Sequence, residues 1–184
     1  GLAALETDPR VIRITSTENL SFPQDDQARV AIGADLVHTG TGVPASVGSG
    51  VKIAIADSGV DLTHSDIPVP VEAFDVTTGA TAATWSTNVT PVVDHGTHVV
   101  GTAVGSGALS GGKFRGIAPG ASLCFYKITN NATGAASGTD QIKAITRAQA
   151  VGCQVFSMSY GDRASMYMDG SSAVCQAIDA QVAA

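Results

Sequence analysis

The segment PVVDHGTHVVGTAVGSG, residues 91–107, places two of the chain's four histidines, His95 and His98, three positions apart and puts Asp94 just before the first. Imidazole changes charge closest to neutral pH, so such a residue can ligate a metal or carry a proton. Positions three apart share a helix face, which makes His95, His98 and Asp94 one candidate metal site. The other reading makes one histidine a general base. A base that takes a proton from a hydroxyl nucleophile needs an acid group to fix its tautomer and to stabilise its charged form. Asp57 follows the apolar run VKIAIA directly and can fill that role, although an isolated aspartate there also reads as a turn or capping residue.

These residues need elements to hold them. Three short apolar runs, VKIAIA from Val51, ASLCFYKI from Ala121 and CQVFSMS from Cys153, read as strands. Between the last two, TDQIKAITRAQAVG carries Ile142, Ile145 and Ala148 at helical spacing, with Thr139 to cap the start and Gly152 to close the end. A second helix is expected from about His95, where Val99, Val100 and Ala103 can face a core. Near-continuous apolar strands alternating with helices indicate an α/β parallel sheet with helices on both faces. Function in such sheets collects at the carboxyl ends of the strands, where Asp57 and the stretch after Ser157 both fall. Ser171 and Ser172 read as the start of a helix containing Val174 and Ile178. The amino-terminal LAALETDP and VIRI read as a short helix and a strand, and the polar SFPQDDQAR from Ser21 reads as a linker.

Composition removes several function classes. A net charge of −6 with few basic residues offers no face for phosphates, which argues against nucleic acid. No apolar run approaches the roughly 20 residues of a membrane span. The cysteines, Cys124, Cys153 and Cys175, lack the paired spacings of a zinc or redox site and read as small core residues, with a single disulfide leaving one free thiol as the alternative.

Four motifs in order, IAIADSGVDLTHSDI, DHGTHVVGTAVG, RGIAPGASLCFYKI and FSMSYG, resemble those of subtilisin-like serine proteases. The resemblance runs from about Val51 to Ala184 and implies a subtilisin-like parallel sheet, a peptide or protein substrate, and a secreted or extracellular setting. It makes Asp57 the acid and His95 the general base, gives Gly96 and Thr97 a part in shaping the turn, and leaves His98 in support. His64 becomes structural, and His38 reads as a solvated helix position. Ser159, Tyr160 and Gly161 resemble the segment that receives the substrate backbone as an added strand, with Gly134, Ala135 and Ala136 opposite. No cofactor is firmly implied. Asp66 sits where some members hold a calcium ligand and reads equally as a turn aspartate, while residues 105–112 lack an oxygen-ligand pattern.

The chain also departs from the pattern. The family's Gly-Thr-Ser-Met-Ala-type nucleophile motif and its oxyanion-hole Asn do not occur; the segment DGSSAVCQAI from Asp169 comes too soon after FSMSYG and lacks the following Pro. The expectation is therefore a sheet incomplete on its C-terminal side, inactive alone, whose partner is a C-terminal remainder carrying the serine and the Asn. Residues 1–20 resemble a propeptide tail, 21–50 a linker and the mature amino-terminal region, and 51–184 the front of a catalytic domain. A non-catalytic peptide-binding module on the same fold is the alternative.

Overall fold

The computed structural model describes residues 25–81, 93–161 and 169–183. Two short helices, α1 (Asp25–Ala31) and α2 (Ala34–Thr39), lead into strand β1 (Lys52–Asp57). Strands β2 (Glu72–Asp75) and β3 (Ala80–Thr81) follow, then helix α3 (Val93–Val104) and strand β4 (Ser122–Lys127). Helix α4 (Gly138–Ala150), strand β5 (Val155–Met158) and helix α5 (Ala173–Val182) complete the described chain. The strands form one sheet in the order β3-β2-β4-β1-β5. β1 runs parallel to β4 and β5, β2 runs parallel to β4, and only β3 is antiparallel.

Strand alternation separates two cores. Ile53 and Ile55 of β1 and Leu123 and Phe125 of β4 bury one face beneath Val100 and Val104 of α3. Ala54 and Ala56, with Cys124 and Tyr126, bury the other beneath Ala144 and Ala148 of α4. β1 and β4 are therefore apolar on consecutive positions, as a sheet covered on both sides requires. β5 is at the sheet's edge, and Val155 is 46% exposed there.

The three apolar runs are strands, with bounds shifted by one or two residues, and the parallel α/β reading holds. Other local readings change. Ser137, not Thr139, caps α4: its hydroxyl oxygen accepts from the Asp140 N–H at 3.1 Å and its O–H donates to the Asp140 carboxylate at 2.6 Å. Gly152, at φ 77°, does close that helix, its N–H reaching the Gln149 carbonyl while Cys153 N–H reaches Ala148. The polar stretch read as a linker is helical from Asp25, and Arg29 anchors α1 by donating to Asp35 and to the carbonyls of Gly112, Lys113 and Arg115. His38 is not solvated; its side chain is 6% exposed and its Nε2 lies 2.7 Å from the Ile117 carbonyl. The expected helix and strand before Pro9 and at Val11 fall outside the described residues.

Strand β2 has no counterpart in the sequence reading. Its acids are paired at long range: Glu72 accepts from Tyr126 O–H at 2.8 Å and from Arg147, whose guanidinium also lies 3.8 Å from the Phe74 ring centroid. Asp75 meets Lys127 at 3.1 Å, both buried. Burial works against the Asp75 charge, but donors from Thr77 and Lys127 hold its carboxyl below the usual range.

Cys124, Cys153 and Cys175 are free thiols. Burial, with Cys124 alongside, pushes the Cys153 thiol up to about 12, as suits a core residue rather than a nucleophile. Ser172 caps α5 by accepting from the Cys175 N–H, as expected from DGSSAV. Among the described residues no helix is long and apolar enough to cross a membrane.

Candidate active site

Asp57 continues the face of Ile53 and Ile55 at the carboxyl end of β1, so it points to the side on which α3 packs. There His95, in the first turn of α3, brings its Nδ1 to 2.8 Å from Asp57 Oδ1. The pair is asymmetric in its surroundings. Asp57 is fully buried, whereas the His95 side chain is 56% exposed.

A buried carboxylate is costly unless it is bound. Asp57 Oδ1 also accepts from the Ser58 N–H at 2.6 Å, while Oδ2 is buried without a hydrogen-bond partner among the described residues. The negative charge is thus presented chiefly to the imidazole. The arrangement fixes one tautomer, with the proton on Nδ1, and leaves Nε2 as the basic nitrogen.

Two contacts hold α3 to the segment after β1, and a third ties that segment to the end of β4. The Gly96 N–H donates to Ser58 Oγ at 3.2 Å, Asp61 N–H donates to Thr97 Oγ1 at 2.8 Å, and the Thr129 hydroxyl donates to the Ser58 carbonyl at 2.9 Å. Gly96 and Thr97 therefore act within a helix as its attachment to the strand end, and not in a turn. A Cβ on Gly96 would overlap the Gly59 carbonyl, so only glycine lets the helix come this close. Gly96→Ala is expected to cost about 1–3 kcal/mol through overpacking. By moving His95 off Asp57 it should also lengthen the 2.8 Å contact between them. Thermal melts and the NMR shifts of the His95 imidazole protons on the same preparation would check both; a variant in which neither changes would show that this spacing is not critical.

Ser58, 2% exposed, had no role in the sequence reading; its only signal was its place directly after Asp57. His98 is exposed one turn beyond His95. Among the described residues no three His, Cys, Asp or Glu groups gather to hold a metal, and the Asp94 side chain lies outside them. Asp66 is spoken for by hydrogen-bond donors: its Oδ1 accepts from Ser106 O–H at 2.9 Å and from Leu109 N–H at 3.1 Å, securing the loop after α3. His64 is local too, its Nδ1 accepting from Asp66 N–H at 3.2 Å.

Residues 159–161 leave β5 at the same edge of the sheet as Asp57. Opposite, Ala136 bridges Thr129 in antiparallel fashion, and Asn130 N–H donates to the Ala135 carbonyl at 2.9 Å. Tyr160 joins the two segments, its hydroxyl 3.5 Å from the Gly134 carbonyl and its ring edge-on to His95 with centroids 6.0 Å apart. The structure thus brings Asp57, His95, Tyr160 and Gly134 into one cluster, with Ser159 and Gly161 flanking Tyr160 on the chain.

Known proteins share this chain's sequence pattern and fold. A family model described as the Subtilase family matches residues 48–184. The minor extracellular protease Vpr of Bacillus subtilis (strain 168) is 29% identical over 163 residues, covering 81% of this chain and 18% of that protein. Subtilisin DY of Bacillus licheniformis is 31% identical over 132 residues, covering 72% of this chain and 43% of that protein. The chain thus spans less than half the length of either relative. The solved CspB protease of Clostridium perfringens shares the fold, with a TM-score of 0.67 at 20% identity over 84% of this chain and 38% of that one. Four ordered motifs, the parallel sheet and a family match over most of the chain agree: this chain belongs to the subtilase family.

Proposed function

We propose that the chain is the front part of a subtilisin-type serine endopeptidase, in which His95 is the general base, Asp57 its orienting acid, and a serine outside these 184 residues the nucleophile. The observation that carries this is the 2.8 Å contact between His95 Nδ1 and the buried Asp57 Oδ1, beside an exposed ring at the carboxyl edge of the sheet. In that role Nε2 takes the serine hydroxyl proton as the oxygen attacks the scissile carbonyl carbon. The same proton passes to the leaving amine when the C–N bond breaks, giving an acyl-enzyme. Water then repeats the sequence, its proton going to Nε2 and on to the serine oxygen as the acid product leaves. Ser159, Tyr160 and Gly161 on one side and Gly134 on the other would receive the substrate backbone. The oxyanion-hole donor comes with the serine, from the remainder of the protein.

On the same reading residues 1–20 are the tail of a propeptide and the enzyme acts outside the cell; the motif order and the relative named as an extracellular protease support this. The test is hydrolysis of unfolded protein by the chain together with its remainder. Cleavage that a serine-directed phosphonate abolishes and a chelator of transition metals leaves intact is the expected result. Peptide binding with no hydrolysis, in a folded preparation containing the remainder, would replace this reading with that of a binding module.

A further inference from the structure

The strand register sets three buried ionisable side chains in one row across the carboxyl end of the sheet. Asp75 of β2 is in register with Lys127 of β4, and Lys127 is in register with Asp57 of β1; all three are buried. Parallel partners in register share a face. Two residues back, Ile55 and Phe125 bury theirs beneath α3, so the row reads minus, plus, minus on the side where His95 meets Asp57. The Lys127 ammonium meets Asp75 Oδ2 at 3.1 Å and donates to the Thr129 carbonyl at 2.5 Å. Asp57 Oδ2 has no hydrogen-bond partner among the described residues, so Lys127 acts on that carboxylate through its field. A second link is mechanical. The Thr129 hydroxyl donates to the Ser58 carbonyl at 2.9 Å, and the Ser58 N–H donates to Asp57 Oδ1 at 2.6 Å.

Water screens little of a charge held inside a sheet, so each member of the row is felt at the next. The Lys127 charge offsets part of the field by which Asp57 stabilises an imidazolium. Asp75, one strand further from Asp57, offsets the cost of burying the ammonium. We propose that Lys127 is a positioning residue for the Asp57–His95 pair: with Asp75 as its counter-charge it sets the field that Asp57 exerts at His95, and through Thr129 and Ser58 it fixes the Asp57 carboxylate. The consequence for activity rests on the peptidase reading of the site; the consequence for His95 does not. Around His95 stand Asp57, Asp61 after β1 and Tyr160 after β5; around Lys127 stand Asp75 and Asp140 at the start of α4. Burial and the Asp57 charge push the Tyr160 hydroxyl up, and donors from Thr63 hold the Asp61 carboxyl below its usual range. Burial works against the Asp140 charge, but Lys143 and Ser137 hold that carboxyl low. These three groups therefore keep their charge between about pH 5 and 8.

The experiment uses the protein with its serine-bearing remainder. The His95 imidazole is titrated by NMR, its resonances assigned by their loss in His95→Ala, while His64 and His98 are followed by their own. Lys127→Met should raise the His95 midpoint and Asp75→Asn should lower it, each by about 0.5–1 unit. Lys127→Arg keeps the charge and should hold the midpoint within about 0.3 unit of the wild type. Because the working base is neutral, the acid limb of the kcat profile should move with His95, to higher pH in Lys127→Met and to lower pH in Asp75→Asn. An ion pair that only braces the fold is broken by either change; His95 would then shift alike in both variants or in neither, and that result overturns the proposal. Where a lone buried charge prevents folding of a single variant, Asp75→Asn combined with Lys127→Met removes both charges. It should still raise the midpoint, because the positive member stands nearer Asp57, and an unchanged midpoint there overturns the proposal as well. Opposite shifts of His95 in a protein that never cuts peptides would overturn the peptidase reading while upholding the role of Lys127.

Discussion

His95→Ala, made in the enzyme that carries the serine, is expected to lower kcat about 10⁵–10⁶-fold with KM nearly unchanged. The size follows from the step involved: without Nε2 no group takes the hydroxyl proton during attack or returns it to the leaving amine, so the transition state loses stabilisation that the bound substrate never used. Folding should survive, because the His95 side chain is more than half exposed and α3 is held by Val100, Val104 and the Gly96 and Thr97 contacts instead. Stopped assays with high enzyme concentration, beside circular dichroism of the same sample, would measure both. His98→Ala, one turn along the helix, should be far milder; if it were the more damaging of the two in equally folded variants, the base would be His98.

Asp57→Asn is expected to cost about 10⁴-fold in kcat. The substitution preserves shape at a buried position, yet the amide carries no charge to stabilise the imidazolium. Its NH₂ can also donate to the ring, which moves the ring proton to Nε2, the nitrogen that must be free to act as base. Unlike His95→Ala, this change should show a stability effect of either sign: it removes a buried charge whose Oδ2 has no partner among the described residues, but it also weakens the acceptor for the Ser58 N–H. Kinetics with a chemical denaturation curve separates these. A variant with near-normal turnover would mean that Asp57 serves β1 and not the histidine.

The central pair was legible through the order of the motifs, whose resemblance to subtilisin-like proteases joined Asp57 to His95 where Asp57 alone reads as a turn residue; the structure supplies the physical reason they meet. Alternation along VKIAIAD puts Ile53, Ile55 and Asp57 on one face, and the valines after His95 place α3 on that face, so the two motifs meet by packing. What was not legible depends on partners far along the chain. Glu72 and Asp75 make β2 look too polar for a strand until Tyr126, Arg147 and Lys127 are brought to them by the sheet. His38 looks solvated until the Ile117 carbonyl arrives from 79 residues away. The cap of α4 moved from Thr139 to Ser137 for a local reason: Ser137 and Asp140 cap one another, a pattern that outweighs a threonine two residues on. The reach of Tyr160 to Gly134 is a tertiary contact between the segment leaving β5 and the loop between β4 and α4, with no periodic signature in either.

Locating the nucleophile chemically is the most direct test of the roles of Asp57 and His95. The protein with its remainder is treated with a biotinylated aryl phosphonate, digested, and the adduct assigned by mass spectrometry. The expected result is one phosphonylated serine, in a segment outside these 184 residues, formed in the wild type and lost in His95→Ala. An adduct on Ser159, Ser171 or Ser172, or peptide hydrolysis that persists with no serine modified, would contradict the assignment of Asp57 and His95 as the acid and base of a serine peptidase completed from beyond this chain.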